Sequence, residues 1–309
     1  MYEEVIQILE STTQNETVEC RTKLILSGAK YLSQEQILSE LVSLFSSCDP
    51  DLVVSASNLI SKYSKTLLDF KSVCREPVIL VLDPELLGFP WESLPCVAAS
   101  KQAMSRLPSL QYLATMWRFH AKDSTSTVNE GIANDSIFYI LNPDKSLPKT
   151  QERLEGVLKG FKEWEGLTGE KPKPGQQAEV LSKKDAYIYA GHGGGTFMTN
   201  EEIKKLRIRS VPILLGCRSV ELVRLGRNLD PLGVVHSYLV GSSPAIAGFL
   251  WPVSDADLDQ WTIEFLKYWV SGQEKNLLQA VADQRSNFNH LVNSAGLVVY
   301  GFPISIKSK

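Results

Sequence analysis

The strongest constraint on the fold is a set of short, unbroken apolar runs spaced along the last three quarters of the chain. They are Val78-Ile-Leu-Val-Leu82, Ile137-Phe-Tyr-Ile-Leu141, Ala186-Tyr-Ile-Tyr-Ala190, Val211-Pro-Ile-Leu-Leu215, Ala245-Ile-Ala-Gly-Phe-Leu250 and Leu297-Val-Val-Tyr300. Each has strand length and none alternates apolar with polar, the pattern of strands buried on both faces. Helical stretches separate them, at about 110–120, 150–164, 200–206, 229–240, 256–271 and 275–290. Strands alternating with helices predict an α/β domain with a mainly parallel sheet and right-handed crossovers. Two stretches read as loops by composition, 123–135 and 166–175.

The first 70 or so residues differ. Val5, Ile6, Ile8 and Leu9 start a short apolar stripe, and Ser33 stands three residues before Gln36, as in a capping box. Ile37, Leu38, Leu41, Val42 and Leu44 follow at helical spacing. Pro50 suits a first helical turn, ahead of Leu52, Val53, Ala56, Leu59, Ile60 and Tyr63. The chain is therefore expected to divide into a small all-helical region, 1–72, and an α/β domain, 73–309.

Composition narrows the function. With 32 Lys+Arg against 35 Asp+Glu the net charge is -3, which argues against nucleic-acid binding through bulk charge. No apolar run reaches the ~18–20 residues of a membrane span, and the acidic start Met1-Tyr-Glu-Glu-Val5 is unlike a signal peptide. Five scattered cysteines, Cys20, Cys48, Cys74, Cys96 and Cys217, form no C-x-x-C pair and no zinc-like spacing with histidine. They read as free thiols in a reducing compartment, and neither metal nor cofactor is expected.

In open α/β sheets ligands bind beyond the carboxyl ends of strands. Gly191-His-Gly-Gly-Gly195 follows the run at 186–190, and Gly216-Cys-Arg-Ser219 follows the run at 211–215. A His and a Cys at neighbouring strand ends suit nucleophilic catalysis: a thiolate attacks and an imidazole carries the proton. The amides of Gly193 and Cys217 could receive an oxyanion. The competing reading is a core cysteine beside a Gly-rich turn. His192-Gly-Gly-Gly195 also matches the oxyanion motif of lipases, but no Gly-x-Ser-x-Gly elbow accompanies it. His120, His236 and His290 read as structural, with His120 at a helix end as a surface or capping residue.

Leu250-Trp-Pro-Val-Ser-Asp-Ala-Asp-Leu-Asp259 leaves a strand and enters a helix with three acids, Asp255, Asp257 and Asp259. One of them suffices for a cap; a cluster near the strand ends suits an arginine side chain.

Together these segments resemble the separases, caspase-like cysteine proteases that cleave cohesin. The resemblance also runs through Val81-Leu-Asp-Pro84, Phe89-Pro-Trp-Glu-Ser-Leu-Pro95, Ser105-Arg-Leu-Pro-Ser-Leu110 and Tyr139-Ile-Leu-Asn-Pro143 with Thr150, in the family's order over about 75–303. It implies a caspase-like sheet flanked by helices, with Cys217 as nucleophile, His192 as general base, and an oxyanion hole from Gly193 and Cys217. It implies cleavage after Arg in a Glu-x-x-Arg context, with Asp259 first, then Asp257 and Asp255, in the P1 pocket. Trp91 and Glu92 would shape the cleft or the sheet above it, and Trp251 the cleft. The cohesin kleisin subunit would be the substrate and a securin-like inhibitory chaperone the partner, in cytoplasm and nucleus with spindle and chromosome association at mitosis, without direct nucleic-acid or membrane binding. A caspase-like protease with another substrate and an inactive binding scaffold are the alternatives. The sequence departs from the family pattern at Pro252, where Asp is usual, and at Arg218, where Ser is common.

Overall fold

The computed structural model describes residues 5, 25–26, 28–46, 48–66, 75–224, 226, 230–271 and 276–307. The chain forms two compact units, 1–74 and 75–309. In the first, α1 (Gln34–Leu44) begins at a capping box: Ser33 Oγ accepts the Gln36 N–H and Gln36 Oε1 accepts the Ser33 N–H. Helix α2 (Pro50–Thr66) starts on its proline. Ile37, Leu41 and Phe45 pack on Val53, Ala56 and Ile60, leaving Val42 and Leu52 exposed. Of the stripe expected at the start only Val5 is described, and Cys20 and Cys74 lie outside the described residues.

The second unit is one eight-stranded sheet in the order β1-β2-β8-β7-β6-β5-β3-β4. Its strands are β1 (Val78–Val81), β2 (Met104–Leu107), β3 (Ile137–Leu141), β4 (Glu165–Thr168), β5 (Ala186–Ala190), β6 (Val211–Leu215), β7 (Ala245–Phe249) and β8 (Leu297–Gly301). All neighbours are parallel except β7 and β8. Every residue of β3, β5, β6, β7 and β8 is buried, as unbroken apolar runs require.

Between the strands lie α3 (Pro95–Ser100), α4 (Leu110–Lys122), α5 (Thr127–Glu130), α6 (Pro148–Gly160), α7 (Gln176–Lys183), α8 (Asn200–Lys205), α9 (Val234–Val240), α10 (Asp255–Val270), α11 (Leu277–Gln284) and α12 (Leu291–Gly296). One face of the sheet carries α6, α10 and α11, through Leu154, Leu158, Phe265, Trp269 and Leu278. The other carries α7, α8 and α9, through Leu181, Ile203, Val235 and Leu239. Along α10 the rings of Trp261, Phe265 and Trp269 stack at 4.6 and 5.6 Å, which anchors this helix firmly on the sheet.

The sequence reading needs correction at the sheet edges. β1 is an edge strand with Val78 and Val81 exposed, where a strand buried on both faces was expected. β2 has a buried arginine at its centre, so it shows no apolar run. β4 occupies part of the expected loop; Gly166 lies flat against the Tyr139 ring, with no room for a Cβ. Helix α5 interrupts the loop expected at 123–135, and α7 was not anticipated. His120 is buried rather than on the surface: its Nδ1 lies 2.6 Å from Ser126 Oγ, and Ser126 caps α5. Burial pushes its pKa down to about 4.

Candidate active site

β5 and β6 run side by side with Ala190 opposite Leu215. His192 therefore lies two residues past the end of one strand and Cys217 two residues past the end of its neighbour. The two loops touch through backbone. A Cβ on Gly216 would stand 2.2 Å from Gly193 O and 2.5 Å from Gly191 O, so only glycine allows this approach. Gly193 and Gly195 take positive φ, +68° and +61°.

Three side chains that the sequence reading gave no role brace the His192 loop from below. Tyr189 Oη donates to the His192 carbonyl at 2.7 Å. Gln177 Nε2 donates to Gly195 O at 2.7 Å, and its Oε1 accepts the Phe197 N–H at 2.7 Å. Tyr187 Oη donates to Gly195 O at 3.1 Å. The imidazole of His192 is exposed above this frame.

Cys217 is half-buried. Its thiol donates to Val253 O at 3.3 Å, and the Val253 N–H donates to Sγ at 3.4 Å. Ser219 locks the turn, donating to Leu214 O at 2.8 Å and accepting the Phe249 N–H at 2.9 Å. Arg218 has a left-handed φ of +57°, and its exposed side chain extends towards Glu221, 3.7 Å away. Among the described residues the amide N–H groups of Gly193 and Cys217 carry no hydrogen bond.

A pocket beside this pair is lined by His192, Cys217, Thr150, Asp255, Leu258 and Asp259, among others. Asp255 and Asp259 share it because residues i and i+4 fall on one helix face. Asp259 is buried. Its Oδ2 accepts from Thr150 Oγ1 at 3.0 Å and from Arg153 Nη1 at 2.8 Å. Burial pushes its pKa up, although both donors and the Arg153 charge pull it down.

Asp257 is absent from the pocket. Alternate residues share a face in a strand, but in a helix they point some 200° apart. Its carboxylate caps the chain before α12, accepting from Asn289 N at 2.7 Å and Asn293 Nδ2 at 2.7 Å and lying 3.2 Å from His290 Nδ1. Burial would raise its pKa, but these donors hold it below the usual carboxylate range.

Trp91 and Glu92 sit elsewhere too. Glu92 is buried and grips Arg106 of β2 with both oxygens, at 2.8 and 2.6 Å. Trp91 donates to Leu86 O at 3.0 Å and packs on Phe89. Neither lines the His192–Cys217 pocket; Glu92 instead borders a separate cavity with Met104, Leu278, Val281 and Arg285. Trp251 contributes through its backbone: its carbonyl accepts the Arg218 N–H at 3.3 Å, while its indole donates to Val292 O at 2.9 Å. Among the described residues no group of three His, Cys, Asp or Glu side chains is placed to hold a metal ion.

Comparisons with known proteins cover most of the chain. The family described as "Separin, protease domain" matches residues 5–258. Mouse separin is 32% identical over 290 residues, which are 93% of this chain and 13% of the mouse protein. Separin of Schizosaccharomyces pombe is 34% identical over 246 residues, 75% of this chain and 13% of that protein. This chain thus spans about an eighth of the length of those relatives. The crystal structure of the Saccharomyces cerevisiae separase–securin complex shares the fold, with a TM-score of 0.78 and 22% identity over 99% of this chain and 22% of that one. With a matched sheet, and family similarity reaching from Val5 to Leu258, the chain belongs to the separin protease-domain family.

Proposed function

We propose that the chain is a cysteine endopeptidase that cleaves after arginine. The observation that carries this reading is the single pocket holding His192, Cys217, Asp255 and Asp259 at the carboxyl ends of β5 and β6. A substrate arginine would enter beside the two acids and bring its carbonyl carbon to Cys217 Sγ. His192 takes the thiol proton as sulfur attacks. The oxyanion falls to the unbonded N–H groups of Gly193 and Cys217. His192 returns the proton to the leaving amine, and an acyl-enzyme remains. Water attacks it, giving its proton to His192, and frees the carboxylate and the thiol.

Among the described residues no hydrogen bond joins His192 to Cys217. The thiol rests on Val253 instead, and a bound substrate completes the approach, as catalytic hydrogen bonds often do. By family, the substrate is the kleisin subunit of cohesin, cut in a Glu-x-x-Arg context in the nucleus and cytoplasm at mitosis. A securin-like chain is the proposed inhibitor, in keeping with the yeast relative whose solved structure is a separase–securin complex.

An arginine-P1 peptide with Glu at P4, incubated with wild type and Cys217→Ser, tests the reading. Cleavage by the wild type and a loss of at least about 1000-fold in the variant are expected. Equal cleavage by both proteins, or none by either, refutes it.

A further inference from the structure

The Asp259 carboxylate is held unevenly. Both of its donors, Thr150 Oγ1 and Arg153 Nη1, come from α6 and converge on the same oxygen, Oδ2. Among the described residues Oδ1 has no hydrogen bond. Arg153 itself does not line the pocket; it reaches the carboxylate from outside, with its side chain 39% exposed against 3% for Asp259. A cation thus already sits on the acid that a substrate arginine would seek.

We propose that Arg153 is a positioning residue for arginine recognition: with Thr150 it pins Asp259 by Oδ2, leaving Oδ1 and the neighbouring Asp255 to meet the substrate guanidinium. This rests on the reading of the pocket as the P1 site. The two acids and Arg153 leave one net negative charge, which one substrate arginine neutralises. A buried carboxylate without a partner takes up a proton rather than remain charged. Arg153 opposes that for Asp259, and Asp255 works against it as a like charge. The other titratable groups facing the pocket are His192 and Cys217, from the β5 and β6 loops. An exposed carboxylate stays charged without such a partner; here α6 supplies the counter-charge that lets the buried Asp259 serve as a receptor.

The sign follows. Removing the guanidinium removes a contribution that lowers the Asp259 pKa, so more of the acid is protonated at a given pH and arginine binding weakens as pH falls. Arg153→Met and Arg153→Lys are assayed beside wild type on the Glu-x-x-Arg peptide from pH 5.5 to 8, with KM and kcat resolved separately. In Arg153→Met, KM rises on the order of tenfold over wild type at the acid end of the range and approaches wild type towards its alkaline end. Arg153→Lys restores most of it. A KM change equal at every pH, as from a purely structural role, overturns the inference. So does a fall in KM, as from removing a plug.

A second measurement needs no catalysis. In protein with ¹³C-labelled aspartate carboxyls, the Asp259 resonance is assigned by its loss in Asp259→Asn. It titrates at higher pH in Arg153→Met than in wild type; coincident titrations overturn the inference. A wild type that cleaves no arginine peptide refutes the proposed function, and the carboxyl titration then decides this point alone.

Discussion

Two regions of the sheet carry family-specific segments and are built on opposite principles. At the carboxyl ends of β5 and β6, strong polar groups find no hydrogen-bond partner among the described residues: the Gly193 and Cys217 N–H groups and Asp259 Oδ1, beside an exposed Asp255. Around β2 they are used up. Glu92 spends both oxygens on Arg106, which also donates through Nη1 to the Leu87 carbonyl and through Nη2 to the Phe89 carbonyl. Arg285 gives its guanidinium to the carbonyls of Ser294 and Leu297, and burial brings its pKa down to about 10. A buried ion pair whose two charges meet oriented partners fixes structure, whereas spare, oriented donors and acceptors await a ligand. Trp-Glu-Ser and Gly-Cys look equally distinctive as text, and hydrogen-bond accounting separates them.

The contrast breaks most easily at Arg106. Arg106→Met leaves Glu92 charged and unpaired beneath the sheet, and a loss of about 3–5 kcal/mol in urea unfolding is expected. The kcat of the molecules that remain folded should match wild type. A fall in kcat with stability intact would make the β2 cluster part of the reactive machinery.

Gly216→Ala is the converse. Its Cβ meets two backbone oxygens, so the β5 and β6 loops must part. Activity on the arginine peptide should drop about 100-fold, close to 2.7 kcal/mol of barrier, as the Gly193 and Cys217 amides lose register. Near-normal turnover would show that the loops need not touch.

The smallest effect concerns His120, which packs against Phe302 just past the end of β8. Its pKa is about 4 in the fold against 6.5 for the free side chain. The stability it protects is complete above pH 6.5 and declines as pH falls towards 4, because the unfolded chain takes up the proton first. After a discount for partial solvent screening, the loss is on the order of 2 kcal/mol. Melting temperatures at pH 7 and 4.5 should show it, and His120→Gln should flatten the dependence. Parallel curves for both proteins would assign the acid sensitivity to other groups.

These experiments bear on what the sequence can disclose. The central strands were legible because burial on both faces leaves nothing but apolar residues in them. The His192–Cys217 juxtaposition followed from strand ends alone. β2 was not legible, since Arg106 at its centre is tolerated only through Glu92, a partner fourteen positions away. The division of the three acids was open to reading, because the helix expected over about 256–271 already turns Asp257 away from the face shared by Asp255 and Asp259. Thr150 and Arg153 lie more than a hundred positions from Asp259, and no local pattern announces that pairing. Gln177 and the two tyrosines under the His192 loop act through backbone carbonyls and amides, which leave no trace in side-chain spacing.

The resting place of the Cys217 sulfur has a further consequence. Sγ is tethered to Val253, two residues before Asp255 and six before Asp259, on one continuous stretch leading into α10. The thiol must surrender its bond to the Val253 carbonyl before it can attack. In the proposed reaction, the segment that senses the arginine is thus the segment that releases the nucleophile. Identity of the P1 residue should then register in the speed of acylation as well as in the tightness of binding, so that a poor substrate that does dock still fails to unlatch the sulfur.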